Sequence, residues 1–418
     1  MDDVVTTAPV APIRKPRPWT VFSSASFRNL WVGTTLSLFG DFFSYVAMAW
    51  LVLQLTGSGL ALGSVLVAQA LPRAVLMAVG GALADRLSPR LTMLGSMGLR
   101  AVVVAALAVL VLTGRVQMWE VYLVAVVFGV VDAFFMPARM SMLPKVVADQ
   151  ELERGNAVLN VTAQLSVILG PVLGGLVVAG LGIGWAFAGD AACFVIGFLF
   201  ILWLPAAGRV AAGKAHPDGG LGGQIAAGFR YAWADTGIRV TLIAIAVIDF
   251  AANGALGVGL PTLAHAQLGA GAAGFGILLG AWGVGATVGA VGAGFVPPPK
   301  QFGWMIVALC GWQGVGIGAI GLFPSLVPAA LLMAFSGVGS GVVNTYGISW
   351  LQRRTDPAMQ GRVMSIVMLA SVGLTPLAYA VSGPIADFNP ALLFLIAGGM
   401  ILLCAAGTGA SRTVRMLR

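Results

Sequence analysis

Five ionisable side chains interrupt stretches that are otherwise almost wholly apolar: Asp41, Arg73, Arg100, Asp132 and Asp249. Charge surrounded by hydrocarbon is costly, so such residues face a protein interior or a water-filled cavity and are suspects for proton or substrate chemistry. With Gln54 and Leu60 as neighbouring ends of two antiparallel helices, Asp41 and Arg73 each lie about 13 residues deep and reach one level. Two readings stand for them: a structural ion pair, or a proton or substrate site whose pairing changes during a working cycle. Arg100 and Asp132 match in level to within about a turn, nearer the opposite end, which favours a structural or gating pair. Asp249 has no basic residue within the later stretches; it is either a proton carrier or an acid hydrogen-bonded near Asn253. Asp190, close to the start of its stretch, reads as interfacial. The proton-coupling candidates are therefore Asp41, Asp132 and Asp249, with Arg73 and Arg100 as charge partners.

The elements that must position these charges are membrane helices. Of 418 residues, 59% are hydrophobic and only 9% charged, against roughly 25% charged in soluble domains. Twelve apolar stretches of about 20 residues follow one another, each long enough to cross a bilayer. Barrel strands would instead alternate over about ten residues, and that pattern is absent from the sequence. The expected fold is an all-α polytopic membrane protein. A tail at 1–26 leads to six helices within 27–204, and a linker at 205–239 carries an amphipathic helix around "GQIAAGFRYAWAD". Six more helices fill 240–410, and a tail follows at 411–418.

Orientation follows from Lys and Arg, which concentrate in cytoplasmic loops. With the N-terminus inside, all 23 basic residues except Arg73, Arg100 and Arg115 fall on the inner side, so both termini are expected in the cytoplasm. The net charge of +8 then reads as topology and attraction to anionic lipid, with no nucleic-acid partner needed. The first 26 residues lack an apolar signal-peptide core. Cys193, Cys310 and Cys404 are too few and scattered for a disulfide framework.

Glycine and proline inside membrane helices serve packing and kinking. "GPVLGG" (Gly170, Pro171, Gly174, Gly175) places a proline in mid-helix among glycines that allow close approach. Aromatics in such helices pack or face lipid more often than they line cavities. Phe42, Tyr45, Phe134 and Phe135, beside Asp41 and Asp132, and Asn253 near Asp249, are the candidates for a cavity suited to an amphiphile.

The turn "GALADRLSPRL" resembles the signature between the second and third helices of the major facilitator superfamily, G-x-x-x-D-(R/K)-x-G-x-(R/K)-(R/K). Gly81, Asp85, Arg86 and Arg90 match it, while Ser88 and Leu91 depart from it. "GPVLGG" is similar to the core of the fifth-helix motif of proton-coupled exporters, with Ala157 and Ser166 where that motif prefers glycine. "GDFFSYVAMAWLVLQLTGSGLALG", "DAFFMPARMSMLPKVV" and "GRVMSIVMLASVGLTP" are similar to the branch of macrolide-efflux and enterobactin-exporter-like proteins. The resemblance implies two six-helix bundles around a central cavity that opens alternately to either side. It also implies a conformational latch in which Asp85 caps a neighbouring helix end and the arginines hold the bundles together when the cytoplasmic side is closed. The same arginines could instead contact lipid phosphates.

The expected function is proton-coupled export of an amphiphilic small molecule of drug, macrolide or siderophore type by a monomer in a bacterial cytoplasmic membrane. The expected partners are substrate, protons and lipid, with no cofactor or metal. An uptake carrier or lipid translocator on the same fold is the alternative. A membrane-embedded enzyme has no H-E-x-x-H or G-x-S-x-G to support it, and His216 and His265 lie in the linker and near an outer loop. A non-transporting receptor has no sequence feature in its favour.

Overall fold

The computed structural model describes residues 18–84, 88–204, 221–297, 301–323 and 325–410. Among them, twelve helices are long and apolar enough to cross a membrane. The first six are Ala25–Thr56, Gly59–Ala84, Pro89–Leu112, Met118–Met142, Leu152–Leu181 and Ile183–Leu202. A surface helix, Leu221–Ala234, then precedes the seventh span, Thr236–Ala266. The remaining five are Gly271–Phe295, Phe302–Ile320, Leu326–Arg354, Gln360–Phe388 and Pro390–Ala410. The fold is that of two six-helix bundles. Below, the face on which the first span begins is called proximal and the other distal.

Local chemistry sets the helix ends. The short helix Pro18–Ser23 precedes Ser24, whose hydroxyl accepts the Phe27 N–H at 3.3 Å and caps the first span. Gly57 closes that span at φ 65°, a left-handed conformation that glycine adopts without steric cost, and donates to the Leu53 carbonyl at 2.8 Å. Ser88-Pro89 starts the third span with proline at the first helical position. Gln117 and Glu120 form a reciprocal capping box at the fourth. Two spans are not uniform helices. The seventh carries a wide π-type turn at Ala255–Gly259, and the eleventh is interrupted at Leu374, just before Pro376. Such irregularities free backbone groups in mid-membrane and are tolerated where protein surrounds them.

Small residues join the bundles along two seams. In one, a Cβ at Gly63 of the second span would lie 2.8 Å from the Tyr379 carbonyl oxygen, and one at Gly383 would lie 3.1 Å from the Leu60 Cα. In the other, a Cβ at Gly175 of the fifth span would lie 2.5 Å from the Ala272 carbonyl oxygen, while Gly276 and Gly280 meet Pro171 and Val172. Backbones this close leave no room for side chains, which is how membrane helices gain packing energy without a hydrophobic drive.

These contacts lie in the distal halves of the helices. Asp387, at the distal end of the eleventh span, accepts a hydrogen bond from Ser58 Oγ at 2.8 Å and another from the Gly59 N–H. The acid of one bundle thereby satisfies the free N–H groups at the start of a helix in the other. Trp50 of the first span meets His265 edge to face at 5.2 Å. The distal side is closed.

Candidate substrate and proton site

Arg100 organises the first bundle. It lies on the third span with 0% exposure. Its Nη1 donates to Asp41 Oδ1 of the first span at 3.0 Å, and its Nη2 to Asp132 Oδ1 of the fourth. The rings of Phe128, Phe135 and Phe194 sit 5.2, 5.2 and 5.5 Å from its guanidinium carbon. A planar five-donor fork can hold two carboxylates while aromatic faces cover it, which an ammonium cannot do as well.

This arrangement corrects the level-matched pairing. Arg100 meets Asp132 as expected, but it also takes Asp41, which the level match had assigned to Arg73. Depth along a helix follows from counting residues; the direction in which a side chain leaves the helix follows from packing. Arg73 forms no hydrogen bond or ion pair among the described residues, and its Nε is buried without a partner. Exposure differs within the triad: Asp41 is 33% exposed and Asp132 19%, while Arg100 is shut off from solvent.

Asp190 overturns its interfacial reading. It is fully buried against the first span, where Ser44 Oγ donates to its Oδ2 and its Oδ1 has no partner. A Cβ at Gly40 would lie 2.5 Å from that oxygen, so the glycine next to Asp41 makes room for the acid. Only the small-residue pattern Gly40-x-x-x-Ser44 hinted at this contact in the sequence.

In the second bundle, Asp249 accepts from Ser371 Oγ of the eleventh span. Asn253 Nδ2 donates 2.7 Å to the Asp249 main-chain oxygen, one turn back in its own helix, so it leaves the carboxylate to Ser371. Tyr45 approaches Phe275 of the eighth span at 6.1 Å, across the bundle interface. Phe42 packs on Gly170, and Phe134 is half-buried. Phe135, expected to line a cavity, is 3% exposed and covers Arg100 instead.

All four residues of the fifth-helix motif are buried. Gly170 and Gly174 seat Phe42 and Phe43 of the first span, while Gly175 and the Pro171 carbonyl meet the eighth span. The motif is thus a three-helix seam spanning both bundles. Asp85 and Arg86 of the latch lie outside the described residues, as does the environment of Gly81. Arg90 donates to the Leu202 carbonyl, capping the end of the sixth span within its own bundle.

Residues 16–417 match the family described as transmembrane secretion effector. The multidrug efflux pump Tap of Mycolicibacterium fortuitum is 29% identical over 360 residues, covering 83% of this chain and 86% of that protein. The enterobactin exporter EntS of Escherichia coli O81 (strain ED1a) is 26% identical over 333 residues, covering 78% of each. The crystal structure of the nucleoside transporter NupG superimposes with a TM-score of 0.71 at 15% identity, covering 92% of this chain and 98% of that one, a likeness of fold. With twelve spans, two bundles and a match along almost its whole length, the chain is a membrane transporter of the transmembrane secretion effector family, within the major facilitator superfamily.

Proposed function

We propose that the protein exports an amphiphilic small molecule in exchange for protons by alternating access. In this reading the proximal face is cytoplasmic, both termini lie in the cytoplasm, and the membrane is the bacterial cytoplasmic membrane. The observation that carries it is the uneven exposure of the Arg100 triad: Asp41 shares a buried guanidinium yet is 33% exposed. Such a carboxylate can be reached by a proton and, once neutral, loosens its hold on Arg100. Asp132 keeps the arginine paired meanwhile, so the step does not strand a bare charge. The distal seams are closed, which suits a state that loads from the proximal side. The names of the two relatives, a multidrug efflux pump and an enterobactin exporter, support outward direction.

In proteoliposomes with an imposed pH gradient, the wild-type protein should move an amphiphilic dye against its concentration gradient. Asp41→Asn should abolish gradient-driven movement while leaving downhill exchange. Unchanged gradient-driven transport by D41N would overturn the proton role.

A further inference from the structure

Two buried polar atoms at the centre of the first bundle lack partners among the described residues, and they are complementary. One is Asp190 Oδ1, an acceptor, and the other is Arg100 Nε, a donor. Both side chains are wholly shut off from solvent. Arg100 gives its two terminal nitrogens to Asp41 and Asp132. Asp190 has a serine hydroxyl as its donor and no cation bonded to it among the described residues.

Asp190 belongs to the same cluster. The space that a side chain at Gly40 would fill, next to Asp41, holds Asp190 Oδ1 at 2.5 Å and the tip of the Phe194 ring at 3.4 Å. Phe194 stands one turn from Asp190 on the sixth span, and its ring lies 5.5 Å from the Arg100 guanidinium carbon. Asp190 and Arg100 are therefore neighbours about one phenyl ring. The titratable groups that face Asp190 are Asp41 of the first span, Arg100 of the third and Cys193 of its own helix. The fourth span meets this helix through Phe128, 6.0 Å from Phe194, and the charged residues of the fifth span, Glu153 and Arg154, lie at its proximal end. A bare carboxylate with one oxygen unpaired is unfavourable at membrane depth, whereas a neutral carboxylic acid is tolerated there. Ser44, which holds Asp190, is three residues nearer the distal end of its helix than Asp41, a rise of about 5 Å.

Building on the exporter reading, we propose that Asp190 is a second proton-carrying residue of the exchange and shares Arg100 with Asp41. In the state seen here the proton sits on Asp190 Oδ1, while Asp41 and Asp132 hold Arg100. In the next step the O–H bond on Asp190 breaks as one on Asp41 forms. Arg100 gives up its bond to Asp41, and its Nε–H donates to Asp190 Oδ1 instead. The cluster keeps its net charge throughout, and both orphaned atoms gain a partner. Asp41, the more exposed of the two acids, then releases the proton to the proximal side. Asp190, the more distal, is refilled when the distal side opens. That order carries protons inward, as export by exchange requires.

The test is the infrared spectrum of the purified full-length protein at neutral pH, where a buried protonated carboxyl gives a C=O stretch apart from the carboxylate bands. Neither cargo nor gradient enters it, so its failure is separate from failure of the exporter reading. Wild type minus D190N should show one such band, displaced in heavy water. S44A should raise the frequency of the same band, because the carbonyl loses its hydrogen-bond donor, and this keeps the test open if D190N does not accumulate. The band should be absent from D41N, which imitates protonated Asp41 and leaves Asp190 to ionise against Arg100; D41S serves if D41N does not accumulate. A wild-type spectrum with no band that D190N or S44A alters overturns the proposal, since Asp190 is then ionised. A band assigned in this way that persists in the Asp41 variant also overturns it, since Asp190 then keeps its proton whatever Asp41 does.

Discussion

The two bundles share one architecture but bury different chemistry. In the first, three carboxylates and a fully enclosed arginine crowd the interior, joined by two further guanidiniums. In the second, Asp249 accepts from a serine hydroxyl, and the ion pair found among the described residues, Asp235–Arg354, lies at the proximal end with its partners about one third exposed. One half is thus built around charge that must be kept paired. The other is built around glycine seams and single hydrogen bonds. In the first half a proton on Asp41 alters the pairing of three linked side chains; in the second a proton on Asp249 alters a single hydrogen bond.

That contrast is open to direct attack. The largest effect belongs to Arg100→Leu, which strands Asp41 and Asp132 in the interior. Removing one member of a buried ionic cluster costs about 3–5 kcal/mol, so denaturation in mixed micelles should show a loss of that size. Arg100→Lys should recover only part of it, because one ammonium cannot cover both acids with the same geometry. Full stability in R100L would mean that the cluster is not what holds the first bundle's centre.

An intermediate effect is expected at Asp249. Ser371→Ala removes its partner, and the same assay should show a loss of about 1–3 kcal/mol for a buried acceptor left unmade. Asp249→Asn keeps a hydrogen bond and should lose less. A loss in S371A as large as that in R100L would erase the contrast between the bundles.

The smallest effect lies at the proximal rim. Asp235 caps the seventh span, accepting from the Gly237 and Ile238 N–H groups at 2.8 and 3.0 Å, and from Arg354 Nε at 3.1 Å. Partial burial pushes its carboxyl upward, but the Arg354 contact and the two backbone donors outweigh it and hold the group below the ordinary 3.8. A depressed folded-state value stabilises the protein above pH 3.8 and loses that contribution as pH falls through the folded value. Asp235→Asn should therefore cost at most about 1 kcal/mol at neutral pH, since asparagine still caps and exposed pairs contribute little. The wild-type advantage should shrink at acidic pH. An advantage that grew on acidification would show that the carboxylate is not held by these donors.

Much of this was legible in the chain. The count of spans, their approximate ends and the meeting of Arg100 with Asp132 follow from hydropathy and from the rarity of charge in apolar sequence. Gly170, Pro171, Gly174 and Gly175 also announced a packing seam, and the seam is there. Other features were not legible. Asp190 sits near a helix start, where an acid is ordinarily wet, yet Gly40 and Ser44 of another helix enclose it. Arg139 looked like a loop residue of the basic-inside pattern, but the fourth span extends through it to Met142. Asp387 carries no local signal in the sequence, because the helix end it caps belongs to a segment 328 residues away.

The sequence by itself determined the solvent, the number of crossings and the approximate depth of Asp41, Arg73 and Arg100, because a bilayer filters residues by hydrophobicity and a helix advances by a fixed rise. Only the tertiary structure decided which acid Arg100 holds, which arginines go unpaired and which face is shut. Those outcomes depend on helix rotation and on backbone approach between distant segments. Both are set by small residues such as Gly40, Gly63 and Gly175, whose effect exists only once the partner helix lies against them.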